Sequence, residues 1–196
     1  MLIGLSGGMG SGKDYVALNF VFKEWSRVEP TMILSFADHF KIDIVTKDKA
    51  CFEHVFVPDR KERPQEVRQL LQRRGTEEGR CRYGPNIWVE TMEAWIRVHS
   101  ARGIKRFIIP EVRFPNEAAW IRKQGGTVVF LSAPQRNWKR ALAEADHDET
   151  AARKLLSHAS ETGISSATPE HWDRLIGNDF GQEDSCAHSV LRLFAS

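Results

Sequence analysis

Short apolar runs alternate with amphipathic stretches along this chain, and that alternation sets the first expectations. Met1-Leu2-Ile3-Gly4-Leu5 is apolar throughout, as a strand buried on both faces should be. Val16, Phe20 and Val21 then recur at helical spacing. Met32-Ile33-Leu34-Ser35-Phe36 reads as a second strand, Arg106 to Val112 as a third, Thr127 to Ser132 as a fourth, and Asp173 to Gly177 as a weaker fifth. A helix is predicted from Pro64 to Arg74, with proline at its first position and Gly75 past its end. Trp88, Met92, Trp95, Ile96 and His99 mark another, which stops before Gly103. A short helix capped by Asn116 closes at Gly125-Gly126, and Asp184 to Phe194 forms the last. Strands alternating with helices predict an α/β fold, a parallel five-stranded sheet covered on both faces.

Between the first strand and the first helix stands Gly7 to Lys13, Gly-Gly-Met-Gly-Ser-Gly-Lys, with the spacing G-x-x-x-x-G-K. Such a turn aims successive backbone N–H groups at a polyphosphate, and its lysine reaches the outer phosphates. The helix N-terminus adds the positive end of its dipole. The bland alternative is a glycine-rich strand-to-helix turn without a ligand. Asp14 stands where the spacing wants Ser or Thr to place a hydroxyl on Mg²⁺. Its carboxylate can hold the ion directly, hold it through water, or leave it to the nucleotide phosphates. Ser11 is a spare hydroxyl in the loop. Ligands of parallel sheets bind beyond the carboxyl ends of the strands. There the second strand delivers Asp38 and Lys41, and the third delivers Glu111 and Arg113.

Composition narrows the classes. A chain of 196 residues, 41% of them hydrophobic, suits one domain or a core with an inserted lobe. No apolar stretch is long enough to span a bilayer, and the first residues are needed for the first strand, so nothing there looks cleavable. Cys51, Cys81 and Cys186 are odd in number and widely spaced, which points to reduced thiols in a cytoplasmic compartment. A net charge of +2 argues against a nucleic-acid or membrane partner. The charge is uneven: Arg60 to Arg82 holds eight Lys or Arg against four Glu. A solvated helix face explains some of these. Arg74 and Arg80 flank a Gly-Thr-Glu-Glu-Gly stretch read as a turn, a better place for a small anion. His147 between Asp146 and Asp148, with His158 beyond, lacks tight metal-ligand spacing and reads as a polar segment.

Further segments follow the loop in order. They are Ser35-Phe36-Ala37-Asp38-His39-Phe40-Lys41, Leu70 to Arg80 (Leu-Leu-Gln-Arg-Arg-Gly-Thr-Glu-Glu-Gly-Arg), Trp88-Val89 and Val112-Arg113-Phe114-Pro115-Asn116-Glu117. His158-Ala159-Ser160-Glu161 and Leu175-Ile176-Gly177-Asn178 come later. With Asp after the loop lysine, this series resembles the deoxynucleoside monophosphate kinase family of phages and bacteria, relatives of animal phosphomevalonate kinase. The resemblance covers most of the chain and is most specific in the Val-Arg-Phe-Pro-Asn-Glu and Leu-Leu-Gln segments.

The resemblance implies a P-loop NTPase three-layer sandwich with core residues 1–36, 103–132 and 172–196, an acceptor-binding helical insertion at about 37–102 and a lid at about 133–165. It implies phosphoryl transfer from ATP, with Mg²⁺, to a deoxynucleoside 5′-monophosphate. Gly8, Gly10, Ser11, Gly12, Lys13, Asp14 and Tyr15 would then bind ATP. Lys41, Arg80 and Arg113 become candidates for the acceptor phosphate and the transferred group, with Asp38, Gln72, Arg74 and Trp88 as further acceptor contacts. Arg136 and Arg140 sit where lid arginines are expected, so Lys13, Arg113, Arg136 and Arg140 carry the catalytic charge. Asp14 and Glu111 are the candidate Mg²⁺ partners. Trp88, Gln72 and Tyr83 are candidates for a flat slot around the acceptor base.

Plainer readings stand beside these. Trp88 can be helix packing, Lys41 a solvated helix residue, and Arg113 a salt-bridge partner of Glu117; Trp95 and Trp120 belong to the core. Relatives usually carry basic residues where this chain has Gly8, Met9 and Gly10, and Asp where it has Glu111. Dephospho-coenzyme A kinase shares the loop but expects Ser in place of Asp14. Phosphomevalonate kinase shares the charge logic, with a smaller acceptor. A non-catalytic nucleotide switch needs no crowd of arginines. The sequence leaves a homodimer open.

Overall fold

The computed structural model describes residues 1–48, 52–56 and 64–193. Cys51, Phe194 and the Arg60, Lys61, Glu62 and Arg63 part of the charge run lie outside the described residues. Five strands, β1 (Leu2–Ser6), β2 (Thr31–Ile33), β3 (Arg106–Val112), β4 (Thr127–Ser132) and β5 (Arg174–Gly177), form one sheet in the order β2-β3-β1-β4-β5. Every pairing is parallel. Leu2 of β1 lies opposite Phe107 and Ile3 opposite Thr127, so β1 is held on both sides by later strands. The chain runs out to β2 on one side of β1 and later to β4 on the other, which places the topological switch beside the carboxyl end of β1.

The sheet buries different residues on its two faces. Ile3, Leu5, Ile108, Val129 and Leu131 pack under Val16, Ala17, Val21 and Trp25 of the first helix and under Cys186 and Val190 of the last. On the opposite face, a Cβ at Gly4 would come within 2.6 Å of Cδ1 of Ile121, so glycine is what lets that helix seat on the central strand. Helix, sheet and helix thus make the three-layer α/β sandwich that the alternating pattern predicts.

The first helix is not uniform. Lys13–Val16 (α1) and Lys23–Ser26 (α2) are α-helical, and Ala17–Phe22 between them is π-helical. Widening the turn lets Val16 and Val21, five residues apart, both face the sheet. Burial pushes the Cys186 thiol up to about 11, which makes it a packing residue rather than a nucleophile.

Several expectations need correction. β2 ends at Ile33, not Phe36. The Leu34 N–H still donates to Ile108 O at 2.9 Å, but the next N–H, that of Ser35, donates to Oδ2 of Asp38 at 2.8 Å. An Asp side chain taking a backbone donor in this way ends the ladder. Asn116 does not cap the helix Pro115–Lys123 (α8): Phe114 is the N-cap, Pro115 the first residue, and Asn116 lies inside the first turn. Instead the buried Glu117 carboxylate accepts from the N–H groups of Arg113 (2.7 Å) and Phe114 (3.0 Å). The helix closes at Gly125-Gly126 as expected, with Gly125 at φ 74°.

The chain divides into two compact units, one built from residues up to Leu34 and from Ile96 onward, the other from Ser35–Trp95. The second unit holds Asp38–Lys47 (α3), Phe52–Phe56 (α4), Gln65–Gln72 (α5) and Cys81–Tyr83 (α6), and the boundary falls inside Ile87–Ala101 (α7). Its core is Ile44, Val55 and Val67 with Phe40, Leu70 and Leu71 against them. The Gly-Thr-Glu-Glu-Gly stretch is not a turn: Arg73–Arg80 continues the helix in π form. Packing overrides the two glycines. A Cβ at Gly75 would meet the Phe40 ring at 3.1 Å and one at Gly79 would meet Cζ2 of Trp88 at 2.2 Å. Nε1 of Trp88 donates to Gly75 O at 2.7 Å.

In the first unit β4 leads to Pro134–Glu144 (α9), Glu149–Leu156 (α10) and Ala159–Thr162 (α11), and β5 to Glu183–Arg192 (α12). Asp146 and His147 take positive φ between α9 and α10, and Asp148 caps α10 through Thr150 N and Ala151 N. Among the described residues no helix is long and apolar enough to cross a membrane.

Candidate functional site

The loop from Gly7 to Lys13 leaves the carboxyl end of β1 with Gly7, Gly10 and Gly12 at φ 143°, 77° and 84°. The last two lie where a side chain is strained, so glycine is required by conformation. Close approach requires it too. A Cβ at Gly8 would sit 2.5 Å from the Asn137 side-chain amide, one at Gly10 2.9 Å from Arg140 Cβ, and one at Gly12 2.6 Å from Asn178 Nδ2. The loop is therefore pressed on by α9 and by the residue following β5.

Lys13 is 3% exposed, and its ammonium donates to Gly7 O at 2.8 Å and Gly8 O at 3.0 Å. The cation is folded over the loop it would serve. Ser11 N donates to Gly8 O at 3.1 Å, and Ser11 Oγ is buried with no hydrogen-bond partner among the described residues. Asp14 and Tyr15 are exposed at the start of the helix.

A second group closes on the loop from the carboxyl end of β3. Arg113 Nη1 donates to Oε1 of Glu161, and its Nη2 lies 3.9 Å from Oε1 of Glu111. The other oxygen of Glu161 accepts from the Met9 N–H at 2.7 Å. Burial opposes the Arg113 charge, but Glu161 and Glu111 more than offset it and raise its pKa, so the guanidinium stays protonated. Burial likewise opposes the Glu161 charge, yet Arg113 and then Lys13 hold its carboxyl below the usual range. Glu117 on the next helix receives the backbone N–H of Arg113 at 2.7 Å and, as a further nearby anion, also favours the charged guanidinium.

Three residues that the sequence left unassigned fix the loop. Glu161 holds the Met9 N–H. The Asn137 amide, with its nitrogen toward the carbonyls, donates to Met9 O at 2.8 Å and Ala133 O at 2.9 Å. Asn178, 2% exposed, donates from Nδ2 to Ser11 O at 2.7 Å. Polar residues inside motif-like segments were the only signal for Glu161 and Asn178. Asn137 carried none.

Arg136 and Arg140 lie on α9 against the loop. Arg136 donates to Asn178 O at 3.2 Å and to Glu183 Oε1 at 3.4 Å, and Arg140 pairs with Glu144 at 2.7 Å. The Arg140 stem and the Arg136 carbonyl border Gly10, and the Arg136 guanidinium borders Gly12.

The other predicted residues belong to the second unit. Trp88 is 7% exposed, tilted against Phe40 with centroids 5.1 Å apart, and so is a packed residue. Asp38 caps its own turn. Lys41 Nζ lies 6.0 Å from the Phe56 ring centroid. Arg74 pairs with Glu78 at 2.8 Å, while its buried Nε has no hydrogen-bond partner among the described residues. Arg80 donates to Pro85 O at 2.9 Å, and Gln72 and Tyr83 are exposed.

The sandwich has counterparts of known structure. The chain is similar to TT1252 from Thermus thermophilus. That likeness covers 100% of this chain and 98% of the other, with a TM-score of 0.59 and 15% identity. Looser likenesses are a dephospho-CoA kinase from Campylobacter jejuni (TM-score 0.48, 16% identity, 98% and 96% covered) and a shikimate kinase from Bacteroides thetaiotaomicron (TM-score 0.49, 16% identity, 100% and 99% covered). At such identities TT1252 establishes a shared fold and no chemistry, and the other two add nothing to it. No protein-family model and no curated protein matches the chain.

Among the described residues no three His, Cys, Asp or Glu side chains gather as a metal cage. Exposed Asp14 and the carboxylate of Glu111 suit a different kind of ion. Mg²⁺ keeps its waters, is carried mainly by phosphates, and needs only one or two carboxylates from the protein.

Proposed function

We propose that this protein transfers a phosphoryl group from ATP to a small acceptor that already carries a phosphate, and that a deoxynucleoside 5′-monophosphate is that acceptor. The observation that carries the reading is the glycine loop with buried Lys13 beside the Arg113–Glu161–Glu111 cluster. The choice of acceptor rests on the motif resemblance.

Phosphoryl transfer is largely positioning and charge stabilisation. The N–H groups of Gly10, Gly12 and Lys13 surround the donor phosphates, and Lys13 exchanges the carbonyls of Gly7 and Gly8 for phosphate oxygens. Asp14 and Glu111 would hold Mg²⁺, directly or through water, and the ion would supply charge neutralisation. Arg113 stabilises the charge that spreads over the moving group, and Arg136 and Arg140 add positive potential beside the loop. The acceptor phosphate is an anion near neutral pH, so no strong general base is required, and Asp38 orients rather than deprotonates. For the second unit the motif resemblance alone assigns Lys41, Arg74 and Arg80 to the acceptor phosphate and Gln72 to its base. Residues 133–165 close over the site as a lid and limit loss of ATP to water.

A coupled ADP-release assay tests this, with ATP and Mg²⁺ against dAMP, dGMP, dCMP, dTMP, AMP, UMP, phosphomevalonate and dephospho-coenzyme A. The expected result is ADP release with one or more deoxynucleotides. Release only with phosphomevalonate or dephospho-coenzyme A would keep the reaction and replace the acceptor. ATP binding with no release for any acceptor would favour a nucleotide switch.

A further inference from the structure

The Glu161 carboxylate is placed where neither the loop motif nor the charge of the site requires one. It sits on α11, 152 residues beyond Met9 in sequence, yet one oxygen accepts from the Met9 N–H and the other from Arg113 Nη1. Its side chain is 7% exposed. Removing a carboxylate this far from water is costly unless both oxygens are engaged, and here both are. The neighbouring geometry is built around it. A Cβ at Gly163, just past α11, would lie 2.6 Å from Arg113 O, so glycine lets the end of α11 close on the Arg113 backbone. Asn137 holds the carbonyl of the same residue, Met9.

An anion beside two cations in a phosphate site looks counterproductive. The contacts resolve this. The Met9 N–H lies in the first half of the loop, whereas Gly12 and Lys13 begin the helix whose N-terminus receives phosphate. Glu161 thus spends one loop donor and leaves the helix-end donors. In return it fixes the guanidinium of Arg113, a long side chain that would otherwise sample several rotamers.

We infer that Glu161 is a positioning residue: it fastens Arg113 to the loop peptide at Met9, so that the transfer cation and the donor phosphates share one frame. This rests on the phosphotransferase reading above. It deepens that reading by assigning Glu161 a role exerted through Arg113 rather than on substrate. Against the cost of burial, Arg113 and Lys13 keep the carboxylate ionised, which the bridge requires.

The test is a double-mutant cycle with Glu161→Gln and Arg113→Met, in the full chain, on the acceptor that the wild type phosphorylates. Glutamine keeps the size and one acceptor oxygen, and the double variant removes both charges of the pair together. Circular dichroism at the assay temperature establishes that each variant is folded. Glu161→Gln should lower kcat by roughly 10- to 100-fold while the ATP KM changes less than about 3-fold, as expected for an interaction used in the transition state. In the Arg113→Met background the same substitution should change kcat by less than about 2-fold, since its route of action is gone. Equal losses in both backgrounds would overturn the inference and make Glu161 a fold residue, as would an unchanged kcat in the single variant. If the wild type phosphorylates no acceptor, the phosphotransferase reading itself falls, a failure separate from additivity in an active enzyme.

Discussion

Lys13→Ala should reduce kcat by about three orders of magnitude while the protein stays folded. Removing one preorganised charge from a transition state costs roughly 10²–10³ in rate, and the loop lysine also neutralises ground-state phosphate. The fold should survive, because Lys13 adds no packing that the sheet needs. Its ammonium donates to Gly7 O and Gly8 O, and water can take its place on both once the side chain is shortened. Glu161 loses one of the cations that depress its pKa but keeps Arg113. Steady-state kinetics with a thermal melt checks this. Wild-type kcat in the variant would remove the loop from the mechanism.

Arg113→Met should act on both activity and stability. Loss of the transfer cation should lower kcat/KM by roughly 10²- to 10³-fold. Breaking one side of a buried ion pair costs about 3–5 kcal/mol, because the surviving charge is left without compensation. The Arg113 side chain is 21% exposed, which sets the expected loss at the lower end. The pH dependence follows from Glu161. In the wild type its folded pKa is depressed, so its contribution is fully present above the ordinary value of 4.5 and is lost as pH falls through the lower folded value. Without Arg113 the carboxyl titrates higher and that contribution shrinks. The stability gap between wild type and variant should therefore be widest above pH 4.5 and narrow on acidification. Denaturant melts across that range check it. A gap independent of pH would mean that Glu161 is not the stranded partner.

The sheet was legible because its strands are short apolar runs with clear breaks. Arg106 to Val112 and Thr127 to Ser132 begin and end where the pattern places them. Errors cluster where a tertiary contact overrules a local preference. Gly75 and Gly79 look like helix stops, but the Phe40 and Trp88 rings need the space that a missing side chain leaves, so the helix runs on. Asn116 is a good capping residue two positions too late, because Phe114 is the N-cap, Pro115 already occupies the first turn and Glu117 takes the backbone donors. The loop itself was legible from spacing alone. Its supports were not: Glu161 meets Met9 and Asn178 meets Ser11 across 152 and 167 residues, and no local pattern encodes which polar residue will arrive there.

The most direct test of the central claim follows the terminal phosphate itself. ATP labelled with ³²P at the γ position is incubated with Mg²⁺, the protein and a mixture of the four deoxynucleoside monophosphates, and the products are separated. The account predicts label in a deoxynucleoside diphosphate, absent when Lys13→Ala replaces the wild type. Label that remains in ATP, or appears only as inorganic phosphate, would contradict it.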